Sequence, residues 1–162
     1  MDIRIYLTNL AQYNAGHLVG KWLELPLFEE DFEQEIKNVL GNDEEYFITD
    51  YEAPFRIEEY ENIKELNEFA EEFSKLSEHD QQRVVYLMET IGYSNDDSLQ
   101  HYEDVIFYEN MRLEDVAEEL VEEGIFGNIA DNIKCYLDYE KLARDLSIDG
   151  YHETDKGTFC YH

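Results

Sequence analysis

The sequence is short of basic residues. Its 162 residues include 12 lysines and arginines against 40 aspartates and glutamates, which gives a formal net charge of −28 and an isoelectric point near 4.2. Proteins that bind nucleic acid or an anionic membrane surface need cationic side chains facing the phosphates. We therefore expect no nucleic-acid or membrane binding, and we expect a protein partner that carries a basic cleft.

Cysteine, proline and long apolar runs are also scarce. Cys135 and Cys160 lack CxxC spacing and neighbouring metal-type histidine pairs, so two reduced, mostly structural thiols are expected. No apolar stretch approaches the ~18 to 20 residues that cross a bilayer, and MDIRIYLTNL lacks the features of a signal peptide. These absences indicate a cytoplasmic protein.

Motifs for catalysis and metal binding are missing as well. The five histidines are scattered, and neither a calcium-loop pattern, a phosphate-binding glycine loop nor a G-x-S-x-G turn occurs. Carboxylate pairs serve acid/base catalysis, but among 40 acids chance pairs are everywhere and the sequence nominates none. We predict no catalytic residue, no cofactor and no metal site.

What is present is ample core material, with 43% apolar residues and 14% aromatics, so the chain is expected to fold. Ile3, Ile5 and Leu7 alternate as in a strand, and a loop over NLAQYNAGH leads to a second strand around VGKWLEL. Phe28, Phe32, Ile36 and Val39 have the spacing of a buried helix face that stops at Gly41, and EYFITDYE is typical of a third strand.

In the later segments, the spacing of apolar residues changes. Ile63, Leu66, Ala70, Phe73 and Leu76 form an apolar helical stripe, and Ser77 and Ser94 are predicted to cap further helices. Residues 105–109 are typical of a strand, 113–124 and NIKCYLDYEKLARDL of helices, and 150–162 of a hairpin turning near 155–157. We predict an α+β fold of three small units: a mixed unit 1–58, a helical bundle 59–104 and a mixed unit 105–162.

The acids are spread over the chain, with 11 in residues 1–50, 13 in 51–100 and 16 in 101–162. Glu61, Glu65, Glu68 and Glu72 are expected to form a stripe on one helix, where side chains three and four residues apart are about 5 to 6 Å apart. B-DNA carries one charge per ~1.7 Å, so 40 carboxylates match roughly 70 Å, or about 20 base pairs. A second dense patch is expected at Glu118, Glu119, Glu122 and Glu123. Each group alone is typical of a solvated helix face, but their recurrence without balancing lysines favours a polyanion mimic.

Three stretches carry a family resemblance. IYLTNLAQYNAGHLVGKWLELP, ITDYEAPFRIEEYENIKELNEF and YLDYEKLARDL resemble the ArdA-type antirestriction proteins of plasmids and conjugative transposons, collinearly over nearly the whole chain. The resemblance implies a DNA mimic that occupies the DNA-binding groove of type I restriction-modification enzymes, formed by the specificity subunit and methyltransferase core. It implies that restriction, and variably modification, is blocked as a mobile element enters a host.

The resemblance also implies an elongated, curved subunit without catalytic residues, which forms a homodimer through its C-terminal part. In TDYEAPFRIEEYENI, we expect Tyr51, Phe55, Ile57 and Tyr60 on the anchoring side. The nominated phosphate-imitating residues are Glu52, Glu58, Glu59, Glu61, Glu65, Glu68, Glu71, Glu72, Glu118, Glu119, Glu122, Glu123, Asp138, Glu140 and Asp145; those from Glu118 to Asp145 overlap the expected dimer contact. An acidic chaperone-like binder of basic proteins and an enzyme remain alternatives.

Overall fold

The computed structural model describes residues 1–162, and its helices and strands divide between two units, Met1–Gln100 and His101–His162. Each unit combines helices with a three-stranded sheet. The α+β fold class is therefore confirmed. The division into three units near residues 58 and 104 stays a prediction.

The sheet of the first unit is antiparallel, with β1 at its centre. Its strands are β1 (Ile3–Asn9), β2 (Gly20–Leu25) and β3 (Tyr46–Glu52), in the order β2-β1-β3. Ile3, Ile5 and Leu7 are buried, as their alternation predicts, because alternate side chains of a strand point to the same face. The register with β3 shifts between Tyr6 and Leu7.

Two predictions for the N-terminal segment are wrong. The predicted loop contains a short helix, α1 (Leu10–Asn14), which buries no side chain and starts where the Asn9 side chain accepts a hydrogen bond from Gln12 N–H. The helix α2 (Glu29–Leu40) begins one residue after Phe28, whose side chain is 86% exposed and not part of the core. Phe28 precedes the helix, so the helical spacing that places Phe32 and Val39 inward does not apply to it.

The rest of the first unit is helical. Its elements are α3 (Ile63–Lys75), α4 (Glu78–Tyr86), a π-helical turn over Leu87–Ile91, and α5 (Asn95–His101), whose last residue belongs to the second unit. The predicted caps are confirmed, since the hydroxyls of Ser77 and Ser94 accept hydrogen bonds from Asp80 N–H and Asp97 N–H. Phe55, Phe69 and Phe73 pack their rings together beneath α3, and all three are buried. This aromatic cluster leaves the polar face of α3 outward.

The second unit combines three α-helices with a second sheet. A 3-10 turn over Tyr102–Asp104 is followed by β4 (Ile106–Glu109), α6 (Leu113–Glu122), α7 (Asp131–Lys134), α8 (Tyr139–Ile148), β5 (Tyr151–Thr154) and β6 (Gly157–Cys160). The sheet order is β4-β6-β5, and α6 and α8 share a core built around Val116, Leu120 and Leu146. The hairpin between β5 and β6 turns at 155–156, as predicted.

Candidate functional site

Acidic side chains cover the surface of both units. None of the 40 aspartates and glutamates is buried. Among the fifteen nominated carboxylates, Glu61 and Glu119 are half-buried and the other thirteen are exposed. A buried carboxylate without a partner is costly, so outward placement is what elementary electrostatics demands of so acidic a chain. Exposure alone therefore does not distinguish a binding surface.

The arrangement on α3 is more specific. The helix buries Ile63, Leu66 and Phe73 on one side, which leaves glutamates at the intervening positions to face solvent. A depression of about 570 Å³ runs along this face. Its lining includes the four glutamates of the predicted stripe, which we call the acid row: Glu61, Glu65, Glu68 and Glu72.

Glu61 reaches the acid row from outside the helix. The helix begins at Ile63, and Asn62 is its N-cap, whose side chain accepts hydrogen bonds from Lys64 N–H and Glu65 N–H. Glu61 lies in the row, but the prediction that it is part of the helix is wrong. The Glu61 carboxylate accepts hydrogen bonds from Glu58 N–H and from Asn95 Nδ2, and these contacts hold it beside the row.

A second acidic depression adjoins the row at Glu61. It has a volume of about 720 Å³, and Glu58, Glu59 and Glu89 line it together with Glu61. Sequence reasoning missed Glu89, which lies in the π-helical turn and accepts a hydrogen bond of 2.7 Å from Arg56 N–H. No local pattern could nominate Glu89, because the turn is brought to this place by tertiary packing.

Two aromatic predictions near this depression are wrong. Phe55 and Ile57 are buried as expected, but Tyr60 is 69% exposed and Tyr51 is 37% exposed. Tyr60 stacks on Phe47 with ring centroids 6.2 Å apart, which leaves its other face open to solvent. Burial of every aromatic residue in this stretch would need more core than a small sheet provides.

Few acids are neutralised by basic neighbours. Lysine or arginine nitrogens lie within 4.0 Å of twelve different acidic residues, which leaves 28 of the 40 without such a partner. The nominated residues that have one are Glu52 with Arg4, Glu58 with Arg56, Glu71 and Glu72 with Lys75, and Glu122 with Lys134. Hydrogen bonds to Glu72 and Glu71 raise the pKa of Lys75 above its ordinary value. The surface therefore carries a large negative charge that basic residues do not neutralise.

The second unit carries another dense group at the end of α6: Glu118, Glu119, Glu122 and Glu123. The last turn of this helix contains no basic residue. Lys134 reaches across from α7 to Glu122 at 2.7 Å, and this hydrogen bond raises the pKa of the Lys134 ammonium. Asp138 also has a structural role, because it caps α8 by accepting a hydrogen bond from Lys141 N–H, while Glu140 and Asp145 are exposed on α8.

The two cysteines are not bonded to each other. Cys135 is exposed and Cys160 is buried. Burial raises the pKa of the Cys160 thiol, and its sulfur lies 3.2 Å from Nε2 of His162. No group of three or more His, Cys, Asp or Glu side chains is arranged to hold a metal ion, and no helix combines the length and apolarity needed to cross a membrane.

These features define a class, an acidic protein that displays closely spaced, mostly unpaired carboxylates. A family model described as "Antirestriction protein (ArdA)" matches residues 5–160, and the chain belongs to this family. The resemblance noted in the sequence is thereby confirmed. The family consists of inhibitors and is not a known enzyme family, and membership implies an interaction with restriction-modification systems. A search of curated proteins gave no significant match.

Proposed function

We propose that the protein is a DNA mimic of the cytoplasm, which fills the DNA-binding groove of a type I restriction-modification enzyme and blocks restriction, and variably modification. The groove is the one that the specificity subunit and methyltransferase core form around duplex DNA. The carboxylates of the acid row and of α6 take the place of phosphates against the groove's lysines and arginines. No step of chemistry is required of the inhibitor.

The observation that carries this proposal is that both helices place like charges where they repel. Glu68 and Glu72 on α3, and Glu118 and Glu122 on α6, are i,i+4 pairs, and such pairs destabilise a helix by about 0.2 to 0.5 kcal/mol each. Glu122 also lies at the negative end of the α6 dipole, where a basic residue is the stabilising choice. Lys75 and Lys134 offset Glu72 and Glu122, but Glu68 and Glu118 have no lysine or arginine nitrogen within 4.0 Å. Display of negative charge gives a reason for these two residues that folding alone does not.

The density of charge on α3 fits the same purpose. Glu65 and Glu72 are seven residue steps apart, or about 10.5 Å along the helix axis, and Glu68 and Glu71 lie between them. Their mean spacing along the axis is about 3.5 Å, and a single strand of B-DNA carries one phosphate per about 3.4 Å. The net charge of −28 equals that of about 48 Å of duplex, or about 14 base pairs.

We propose further that two subunits associate through their C-terminal parts, so that the mimic is a homodimer. Large apolar side chains are exposed between Ile125 and Ile148 although the core of the second unit is already closed; they are Ile125, Phe126, Ile133, Tyr136 and Ile148. Several large apolar side chains exposed within one short segment favour an interface. Such an interface would extend the row of charges beyond one subunit.

The proposal is tested by the salt dependence of inhibition. Binding that replaces DNA on a basic groove releases counterions, so the affinity for a type I enzyme should fall steeply between about 50 and 200 mM salt. Restriction-protection assays against a panel of type I enzymes first identify one that is inhibited. An affinity that does not change with salt would contradict electrostatic mimicry.

Competition separates the mimic from the acidic chaperone-like alternative. A mimic and a specific duplex exclude each other from the same groove, so each should raise the apparent dissociation constant of the other. A general binder of basic proteins should instead bind lysozyme or histones as tightly as the restriction enzyme, without competition by the specific duplex.

A further inference from the structure

Phe28 is an aromatic residue that the fold leaves outside. Its side chain is 86% exposed, the largest exposure among the large apolar residues of the chain. The nearby apolar residues Leu25 and Phe32 are buried, as is usual for such side chains. A phenylalanine that contacts water on most of its surface contributes little to this fold.

The position is also a poor one for phenylalanine. Phe28 is the N-cap of α2 and makes no side-chain capping hydrogen bond. Helix N-caps favour Ser, Thr, Asp and Asn because their side chains accept a hydrogen bond from a free N–H of the first turn. A local choice that opposes folding usually has a functional cause.

The backbone around Phe28 is nevertheless fixed. The Asn67 side chain of α3 accepts a hydrogen bond of 2.8 Å from Leu27 N–H and donates one of 2.9 Å to the Leu27 carbonyl. On the other side, Phe32 N–H donates to the Phe28 carbonyl at 2.8 Å. The exposed ring is therefore presented by a rigid segment, which lowers the entropy cost of using it in an interface.

The ring borders an apolar depression of about 370 Å³, to which Pro26, Leu27 and Phe32 also contribute. Three glutamates and Lys64 also line it. One of these glutamates, Glu68, also lines the depression of the acid row, so the apolar and acidic depressions meet at that residue. A basic surface that contacts the acid row must approach Phe28 as well.

We propose that Phe28 and this depression form an apolar anchor that docks an apolar side chain at the rim of the partner's basic DNA-binding cleft. The inference rests on the proposed function, since the partner is the same restriction enzyme. Charge complementarity at Glu68 selects that partner, and aromatic residues packed in pockets commonly supply most of an interface's affinity. Duplex phosphates offer no such contact, so the anchor gives the inhibitor an affinity component that salt does not weaken.

The test measures the affinity of Phe28→Ala and Phe28→Ser for an inhibited type I enzyme over about 50 to 200 mM salt. We expect both to weaken binding about tenfold or more at every salt concentration, with the slope of log K against log salt unchanged. Phe28→Ser introduces a preferred N-cap and should raise the melting temperature by about 2 to 4 °C while it weakens binding. Phe28→Trp should retain most of the affinity.

Leu18→Ala is the matched control, because Leu18 is also an exposed apolar residue of the first unit. Binding by Phe28→Ala within about twofold of wild type, or a loss no larger than that of Leu18→Ala, overturns the anchor. If the loss of affinity is accompanied by weaker self-association, the depression belongs to a contact with a second copy of the chain. That result also overturns the anchor. Failure of the proposed function is recognised separately, because the wild-type protein then shows no salt slope at all.

Discussion

The ammonium group of Lys75 lies 2.7 Å from Oε1 of Glu72, the last member of the acid row, and 3.3 Å from Oε1 of Glu71. One lysine therefore offsets two of the carboxylates that α3 presents. If those carboxylates contact basic residues of a partner, Lys75 weakens the interaction.

We predict that Lys75→Gln strengthens binding to a type I enzyme and makes the salt slope steeper by about one unit, as one further counterion is released. Lys37→Gln is the control, because it changes the net charge equally but Lys37 has no carboxylate partner within 4.0 Å. Equal gains for the two variants would show that only total charge matters. An unchanged affinity and salt slope for Lys75→Gln would place α3 outside the interface.

Removal of charge from the acid row should have the opposite effect. The triple variant Glu65→Gln, Glu68→Gln, Glu72→Gln is expected to make the salt slope shallower by about 2.7 units and to reduce protection against restriction. Its fold should persist, because all three side chains are exposed and glutamine is an equally good helix former.

Three exposed glutamates outside the nominated surface provide the control for this variant: Glu30, Glu33 and Glu78. Their replacement by glutamine should alter binding much less, with affinity measured by displacement of a labelled duplex from the enzyme. Similar losses for both triple variants would favour the acidic chaperone-like alternative, in which position is unimportant.

The sequence predicts most of the fold because most elements carry local signals. Strand β1 has its alternation, α4 and α5 have serine caps, and the turn at 155–156 has its glycine-containing hairpin pattern. The helix α1 has only the Asn9 cap as a local signal, because it buries no side chain and therefore shows no apolar period. The helical spacing misplaces Phe28, because periodicity does not distinguish the first buried position of a helix from the cap before it.

In the candidate site, too, some features can be predicted from the sequence and others cannot. That the carboxylates are exposed follows from their charge, and the row on α3 follows from helical spacing. The position of Glu61 depends on its contact with Asn95. The position of Glu89 depends on the packing of its π-helical turn, which lies far along the chain from Glu61. Such neighbours come together through tertiary structure, which a single sequence read locally does not contain.

Self-association should depend on the exposed apolar side chains of the second unit. We predict that Ile133→Glu with Tyr136→Glu reduces dimer formation in sedimentation experiments, because each buried charge without a partner opposes association. Leu18→Glu in the first unit is the control and should leave the assembly unchanged. A wild-type protein that sediments as a monomer at all concentrations would contradict the proposed homodimer.

The high net charge should make stability sensitive to salt. At about 0.01 M salt the Debye length is about 30 Å, and at about 0.1 M it is about 10 Å, so added sodium chloride screens repulsion across each unit. We predict that the melting temperature rises by several degrees over this range, as followed by circular dichroism. The triple glutamine variant of the acid row should show a smaller rise, and a fall in the wild-type melting temperature would be inconsistent with self-repulsion.

Asp43 should contribute stability that depends on pH. Its carboxylate accepts hydrogen bonds of 3.0 Å from Gln12 Nε2 and from Asn9 Nδ2, and these lower the pKa of Asp43 in the folded protein. A lowered folded-state pKa stabilises the protein above the unfolded value of about 3.9, and this contribution is lost as the pH falls through the folded pKa.

We predict that Asp43→Asn is less stable than wild type at neutral pH, and that the gap closes below about pH 3.9 as the aspartate is protonated. Urea unfolding of both proteins from neutral to acidic pH measures the gap, and repulsion among the other acids cancels in the difference. A gap that stayed constant with pH would mean that the hydrogen bonds stabilise the fold independently of the charge.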